Sequence, residues 1–109
     1  MPRQPRPKPL LCDADCPVRK AMDILDSKWT LLIIRDLLQG RKRFGELRST
    51  IGEISPKILT QRLRLLEQEQ IIEKTVYAEV PPHVEYELTA RGRGLQEVIE
   101  ALAQWGRTL

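Results

Sequence analysis

The stretch FGELRSTIGEISPKILTQRLRLLEQE, residues 44–69, contains two helical patterns separated by a short turn. Phe44, Leu47 and Ile51 recur at i, i+3 and i+7, which is the spacing of one face of a helix. Gly52 follows them, and glycine commonly ends a helix because it adopts left-handed backbone angles at no steric cost. We therefore expect a short helix here, the third of the chain.

A second pattern begins at Ser55-Pro56. Serine is a good N-cap and proline is well suited to the first helical position, so this pair predicts a helix start. The helix is expected to run to about Glu69. Its inward face has Ile58 beside a stripe of leucines, namely Leu59, Leu63 and Leu66.

Beyond Glu69 the sequence period changes from helix to strand. Residues 72–77 (IEKTVY) and 84–88 (VEYEL) are rich in β-branched and aromatic side chains. Pro81 and Pro82 between them cannot take part in ladder pairing, so a loop is expected to join two strands into a hairpin. Two short helices with a tight turn, followed by a hairpin, are typical of a winged helix-turn-helix.

Three more helices are predicted around this unit. Pro17 is placed to start the first, which is expected to reach about Asp26. The second begins near Ser27, is apolar on nearly all sides and stops at Gly40. Thr89 is expected to cap a last helix that continues to the C-terminus. The predicted class is mainly α with a small β-hairpin wing (α+β).

A chain of 109 residues is expected to form one domain. Residues 1–11 are rich in proline and are predicted to form a flexible arm, which leaves residues 12–109 for the winged helix-turn-helix domain. The arm contains no apolar segment of the kind found in signal peptides, and no apolar run approaches the roughly 20 residues of a membrane span. We therefore expect a cytoplasmic protein without a membrane partner.

The outward face of the fourth helix carries polar and basic side chains and no acid. Its members recur at helical spacing: Lys57, Thr60, Gln61, Arg64 and Gln68. Gln61 and Arg64 suit base readout in a major groove, because each can bond bidentately to a base edge. Ser55 and Lys57, at the helix start, are predicted phosphate contacts, since free N–H groups attract anions there. The alternative is an ordinary solvated helix face.

Charge supports contact with a polyanion. Residues 41–64 contain seven basic and two acidic residues, a surplus of five, whereas the whole chain carries +3. The run Arg41-Lys42-Arg43 is predicted to contact phosphates, although each member alone is typical of a surface turn. The wing is less basic and offers Lys74 and, at its tip, His83, which is also compatible with a plain loop residue.

The sequence resembles HxlR-type regulators in a series of motifs. These are Cys16-Pro17, Lys28-Trp29, Arg43-Phe44-x-Glu46-Leu47-Arg48, Ile54-Ser55-x-Lys57-x-Leu59-Thr60-x-x-Leu63-x-x-Leu66-Glu67, Thr75-Val76-Tyr77-x-Glu79-Val80-Pro81-Pro82-x-Val84-Glu85-Tyr86, Leu88-Thr89-x-x-Gly92 and Trp105-Gly106. The resemblance implies a bacterial transcription regulator that binds an inverted-repeat operator on double-stranded DNA, most simply as a repressor. It also implies that the fourth helix enters the major groove while the wing lies along the DNA backbone.

The resemblance further implies a homodimer formed by the first and last helices. Apolar side chains recur on both helices, and the spacing on the last one is like that of a coiled coil. The predicted interface residues are Val18, Met22 and Leu25 in the first helix, and Leu95, Val98, Ile99, Leu102 and Trp105 in the last.

Three positions depart from the family pattern. Gln70 stands where a glycine is usual; in a left-handed conformation it would cost about 1 kcal/mol relative to glycine. His83 replaces the usual Arg or Lys of the wing, so wing contacts are expected to be weaker or dependent on pH. Cys12 is an additional cysteine.

The resemblance implies a sensing role for Cys16, because several members detect oxidants or electrophiles through the cysteine of the Cys-Pro motif. Its predicted position at a helix start, with Arg19 and Lys20 in the first turn, favours the thiolate. Cys12, beside Asp13 and Asp15, is the poorer nucleophile. The candidate resolving thiol is that of Cys12 or of a cysteine in the partner subunit. The alternative is that Cys16 is a small buried apolar residue without a sensing role.

Other functions have weaker support. Nucleophilic catalysis needs a general base near the nucleophile, and the single histidine is far from Cys16 in sequence. No phosphate loop, cofactor motif or familiar metal-ligand spacing occurs, so we expect neither an enzyme nor a bound metal or cofactor. A winged helix that binds protein is the main alternative to DNA binding.

Overall fold

The computed structural model describes residues 16–109. In chain order its elements are α1 (Pro17–Ile24), α2 (Lys28–Leu37), β1 (Lys42–Arg43), α3 (Phe44–Ile51), α4 (Pro56–Gln68), β2 (Ile72–Tyr77), β3 (His83–Leu88), α5 (Ala90–Arg93) and α6 (Gln96–Gly106).

The helix boundaries follow from capping residues. The backbone N–H of Thr30 donates to the Ser27 hydroxyl at 3.3 Å, and that of Ile58 donates to the Ser55 hydroxyl at 3.1 Å. Gly52 ends α3 with φ 89°, in the left-handed region that favours glycine. The predicted third and fourth helices are therefore confirmed, and α1 ends slightly earlier than expected.

The core lies between α2, α3, α4 and one face of the sheet. It is a cluster of buried apolar side chains: Leu25, Ile33, Ile34, Leu37, Leu47, Ile54, Leu59, Leu63, Leu66, Ile71, Ile72 and Leu88. The predicted inward face of the fourth helix is part of this cluster. Within residues 16–109 no helix is both long and apolar enough to cross a bilayer.

The sheet has three strands in the order β1-β3-β2, whereas the sequence predicted a two-stranded hairpin. β1 is antiparallel to β3, with Arg43 opposite Glu85. A strand of two residues is too short for its period to be recognised, so it was missed. β3 begins at His83, which pairs with Tyr77. The interpretation of His83 as a loop residue is therefore wrong, because the ladder extends one residue further than the prolines suggested.

The expected single last helix is divided in two. Thr89 caps α5 as predicted, accepting a hydrogen bond from the backbone N–H of Gly92 at 3.1 Å. A turn at Gly94 and Leu95 then separates α5 from α6, and the Leu95 N–H donates to the Gly92 carbonyl at 3.0 Å. Glycine is a weak helix former, so Gly92 and Gly94, two residues apart, lower the free-energy cost of interrupting the helix here.

The end of α4 forms a Schellman motif with a glutamine in the glycine position. Gln70 has φ 59° and donates its N–H to the Glu67 carbonyl at 3.0 Å, while the Ile71 N–H donates to the Leu66 carbonyl at 2.9 Å. Ile71 and Leu66 are both buried, which supplies the apolar contact of the motif. The left-handed conformation anticipated for Gln70 is therefore present.

Candidate nucleic-acid interface

The outward face of α4 is solvent-exposed along its length. Lys57, Thr60, Gln61 and Arg64 are all exposed, while the leucines on the opposite face are buried. Among residues 16–109 these four polar side chains have no ion-pair or hydrogen-bond partner. Ser55 is exposed at the helix start, where its hydroxyl already serves as the cap. The face is thus free to contact another molecule.

Buried apolar side chains anchor the turn before α4 on the core. Leu47 of α3 is fully buried, and Ile54 in the turn is 2% exposed. These side chains anchor α3 and the start of α4 on the same core. α4 therefore presents its outward face on a rigid base, which favours recognition of a defined shape.

Arg41 lies on the outer face of the sheet and not on an open basic turn. Its Nη1 donates to the Tyr77 hydroxyl at 2.7 Å, and its Nη2 donates to Glu87 at 3.1 Å. The hydrogen bond to Glu87, followed by the charge of the same carboxylate, raises the pKa of Arg41. Carboxylates of β3 therefore pair with this guanidinium, and a phosphate contact from Arg41, which stays a prediction, would compete with them.

His83 is likewise engaged within the hairpin. Its Nδ1 lies 3.3 Å from Glu79 and its Nε2 lies 2.9 Å from Glu85, while its ring stacks on Tyr77 at 4.6 Å between centroids. The side chain is only 16% exposed. The structure therefore does not place His83 where a wing-tip contact to DNA was expected. Within residues 16–109 no cluster of His, Cys, Asp or Glu is arranged to hold a metal ion.

The other predicted basic contacts have mixed positions. Lys42 and Arg43 form β1, where Lys42 is half-buried and Arg43 exposed, and Lys74 is exposed on β2. Arg62, part of the basic stretch, pairs with Asp26 at 2.9 Å. Some basic residues of the 41–64 stretch therefore form ion pairs within the fold. The exposed basic residues without such pairs lie on α4 and on the elements next to it.

Sequence reasoning missed the partners that hold Arg41. Arg41 and Arg43 alternate with period two, and so do Glu85 and Glu87 on the strand that β1 pairs with. Opposite charges on neighbouring strands stabilise their pairing. The matching two-residue spacing of these opposite charges was the feature of the sequence that could have predicted a third strand.

The C-terminal end of α4 is held by α5. The Thr89 hydroxyl donates to the Gln70 carbonyl at 2.6 Å, and Arg91 Nη1 donates to the Glu69 carbonyl at 3.0 Å. Gly92 packs so closely that a Cβ there would overlap the Ile71 carbonyl oxygen. The main-chain carbonyls of Glu69, Gln70 and Ile71, which follow α4, are thus each contacted by a residue at the start of α5.

Tyr86 joins the sheet to the end of α4. It is half-buried against the core, and burial raises the pKa of its phenol, with the charge of Glu67 acting in the same direction.

The predicted dimer residues fall into two groups. Val18, Met22, Val98, Leu102 and Trp105 are exposed, and Trp105 reaches 64%. Leu25 is instead buried in the core, and Leu95 and Ile99 pack partly against it. Packing within one chain accounts for the burial of these last three residues.

Cys16 is the N-cap residue of α1 and is 8% exposed. Its thiol is therefore largely shielded in the single chain. Cys12 lies outside the described residues.

The whole arrangement has close counterparts among known proteins. The sequence profile of the family described as HxlR-like helix-turn-helix matches residues 24–109. An HTH-type transcriptional regulator of Synechocystis sp. is 47% identical over 91 residues, 84% of this chain and 67% of that protein. A protein from Porphyromonas gingivalis described as a MarR-family regulator superposes with a TM-score of 0.86 and 43% identity, over 89% of this chain and 95% of that one. The oxidized form of the redox regulator HypR superposes with a TM-score of 0.82 and 37% identity, over 86% and 97%.

Proposed function

Because this chain belongs to the HxlR-like helix-turn-helix family of transcriptional regulators, we propose that it recognises a specific sequence in double-stranded DNA. Its relatives are HTH-type transcriptional regulators, so the chain is a regulator and not an enzyme. The proposal depends chiefly on one observation: α4 exposes Lys57, Thr60, Gln61 and Arg64 with no partner among residues 16–109.

Three of these side chains have assigned roles in the proposed complex. α4 enters the major groove, where Gln61 and Arg64 read base edges. Lys57 contacts a phosphate near the helix start, because its ammonium acts as a point charge and the helix N-terminus attracts the same anion. In our proposal the exposed Arg43 and Lys74 lie beside the DNA phosphate backbone. Chromosomal DNA as the target places the protein in the cytoplasm.

Substitution of Arg64 tests the proposed readout. Arg64→Ala should weaken binding to the DNA upstream of the chain's own gene by about 1–3 kcal/mol and relax sequence preference. Arg107→Ala, which removes an exposed arginine beyond α6, is the charge-matched control and should change little. If Arg64→Ala retains the wild-type ratio of specific to random binding, Arg64 does not read bases.

Salt dependence separates DNA binding from the alternative of a protein partner. Phosphate contacts release counterions, so the logarithm of the binding constant should fall steeply with the logarithm of salt concentration. A flat dependence, or no binding to duplex at all, would instead leave the α4 face as a surface for another protein.

The proposed unit of binding is a homodimer. α6 exposes a stripe of apolar side chains that recur every three to four residues, namely Val98, Leu102 and Trp105, and Leu109 beyond the helix end is also exposed. α1 adds Val18 and Met22. Several large apolar side chains exposed along one helix are typical of an interface. A two-fold dimer reads an inverted repeat, and occupation of both half-sites would block a promoter, so we propose repression as the output.

Leu102→Glu tests this interface. A buried, unpaired carboxylate at the stripe should give a monomer in analytical ultracentrifugation. Gln104→Glu adds the same charge next to the stripe, where the native side chain is already polar and exposed, and should remain dimeric. An unchanged dimer in Leu102→Glu contradicts the proposed interface.

Control of binding by thiol oxidation is a second candidate. Cys16 is the N-cap residue of α1, and α1 belongs to the proposed interface. Oxidation there would alter the distance between the two α4 helices. The low exposure of Cys16 means that an oxidant gains access only when the start of α1 opens, so a purely structural role is the competing proposal.

Binding measured with reduced and diamide-treated protein decides between them. Sensing predicts that oxidation changes DNA affinity by about tenfold or more, and that Cys16→Ser removes this change. Cys12→Ser, run in parallel, shows whether Cys12 acts as the resolving thiol. Equal binding by reduced and treated wild type assigns Cys16 to packing.

A further inference from the structure

The wing, residues 72–88, contains an imidazole that lies between two carboxylates. Nδ1 of His83 is 3.3 Å from Oε2 of Glu79, and Nε2 is 2.9 Å from Oε2 of Glu85. A neutral imidazole has an N–H on only one of its nitrogens, whereas the imidazolium has one on both. In the neutral ring, one of these carboxylates would therefore face a lone pair instead of a donor. The contacts on both sides of the ring are those of a protonated histidine.

The three side chains differ in their exposure to solvent. His83 and Glu85 are half-buried, whereas the carboxylate of Glu79 is mostly exposed. One face of the imidazole stacks on the ring of Tyr77, with 4.6 Å between centroids and 15° between planes. Charges that are partly shielded from solvent are screened less by salt than exposed ones. The contact between His83 and Glu85 is thus the shielded part of this group, and Glu79 joins it from the loop at residues 78–82.

The two carboxylates also differ in their other partners. Oε1 of Glu85 lies 3.8 Å from Nη1 of Arg41, and Arg43 is opposite Glu85 in the β1–β3 ladder. Among residues 16–109, Glu79 has no ion-pair partner other than the imidazole. When His83 is neutral, Glu85 therefore still faces a cation, while Glu79 loses the partner that attaches it to β3.

We propose that His83 is a proton-dependent clamp on the wing. With the ring protonated, one imidazolium connects Glu79 of the loop to Glu85 of β3. When the ring returns its proton to solvent, the contact with Glu79 is lost and the loop becomes mobile. Histidine is the side chain whose charge ordinarily changes between about pH 5 and about pH 8, so the clamp responds to pH in that range.

Protonation also changes the charge that the wing presents to DNA. Residues 72–88 contain four glutamates and one lysine, so their net charge is −3 with neutral His83 and −2 with the imidazolium. A duplex repels the more negative wing more strongly, so the protonated form should bind DNA more tightly. By reciprocal linkage, DNA binding favours proton uptake, and the affinity for DNA falls as pH rises. This step rests on the proposed function, whereas the clamp itself does not.

Nuclear magnetic resonance of the full chain without DNA tests the clamp. His83 is the only histidine in the sequence, so the ring nitrogen signals are unambiguous and their shifts report its protonation. Carbon relaxation at Cα of Glu79 reports the order of the loop without interference from amide exchange. As the ring loses its proton, the order parameter at Glu79 should fall from about 0.85 to below about 0.6.

Three variants separate the clamp from a general effect of pH. His83→Arg keeps a cation that stays charged throughout this range, so the loop should remain ordered at every pH. His83→Gln is neutral at every pH and should leave the loop mobile throughout. Glu73→Gln is the control: it removes an exposed carboxylate near the other end of β2 and should keep the wild-type response.

Three results would overturn the clamp. One is a ring that loses its proton while the order of Glu79 stays the same. Another is a wild-type response to pH in His83→Arg, because a different group would then be responsible. The third is a loop in His83→Gln that is as ordered as that of wild type at low pH. His83→Arg retains a cation between the carboxylates, so the test holds even if His83→Gln disrupts the hairpin.

Fluorescence anisotropy of a labelled duplex from upstream of the chain's own gene, at constant ionic strength, tests the link to DNA. Wild type should bind at least about fivefold more weakly at about pH 8 than at about pH 6, and His83→Arg should show no such loss. Equal losses in the two proteins, or no loss in wild type, refute the coupling but not the clamp seen in the free protein. If the chain binds no duplex at either pH, the proposed function fails independently of the clamp.

Discussion

Gly92→Ala should be one of the most damaging single-methyl changes in this chain. Gly92 is buried in the first turn of α5, and a Cβ there would overlap the Ile71 carbonyl oxygen and approach Leu88 Cδ2 to 2.9 Å. A carbonyl of the main chain cannot rotate away as a side chain does. Either α5 or the turn after α4 must move, and both lie in the same hydrogen-bonded junction.

The magnitude follows from two opposing effects. Overpacking costs about 1–3 kcal/mol, and we take about 3 kcal/mol because the obstructing atoms are backbone. Alanine is the better helix former by about 1 kcal/mol, which offsets part of this cost. The expected net loss in the free energy of unfolding is about 2 kcal/mol, a large share of the about 5–15 kcal/mol typical of a domain.

Urea denaturation at one fixed protein concentration, followed by far-ultraviolet circular dichroism, measures this loss. A fixed concentration is needed because association contributes to apparent stability. Gly45→Ala is the matched control: Gly45 is helical and exposed, and no atom lies within 4 Å of the point that an added Cβ would occupy. That variant should be unchanged or slightly more stable. Equal midpoints for Gly92→Ala and Gly45→Ala would refute the steric reasoning.

Three further predictions concern the same end of α4 and its neighbour in the sheet. Gln70→Gly should raise stability by about 1 kcal/mol, because φ 59° is strained for glutamine but not for glycine; an unchanged urea midpoint would contradict this. Thr89→Val should lower it by about 1–2 kcal/mol through loss of the α5 cap, and an equal midpoint would show that the cap is dispensable. The raised pKa of Tyr86 means that the unfolded phenol ionises first, so its contribution is complete below pH 10.0 and is lost as pH rises above it. Tyr86→Phe should therefore show a shallower alkaline loss of stability in pH-dependent denaturation, and parallel curves would count against it.

The elements that the sequence predicted are those with local causes. Ser27 and Ser55 cap helices through backbone groups three residues away, and Gly52 ends one through its own backbone angles. The outward face of α4 follows from helical periodicity alone. These features depend on residues within one or two helical turns, so the local sequence is sufficient to predict them.

The contacts that the sequence did not predict involve distant partners. Arg41 bonds to Tyr77 and Glu87, which are 36 and 46 residues away, and only the pairing of β1 with β3 brings them together. His83 was misjudged because its strand continues past the predicted boundary. Acids of the same fold compete with DNA for a basic side chain, and sequence alone does not reveal which acids lie close enough to do so.

The break in the last helix and the strained Gln70 belong to one junction. Thr89, Arg91 and Gly92 dock α5 on the residues that end α4, and this docking fixes the direction of α5. The turn at residues 94–95 then frees α6 to follow its own packing on the core through Leu95 and Ile99. Substitutions at Thr89, Arg91 or Gly92 should therefore alter the stability of the end of α4. Substitutions on the exposed stripe of α6 should instead alter association. In a helix continuous from Thr89 to the C-terminus, one substitution would affect both the end of α4 and association. Because the turn interrupts the helix, the two can be changed independently.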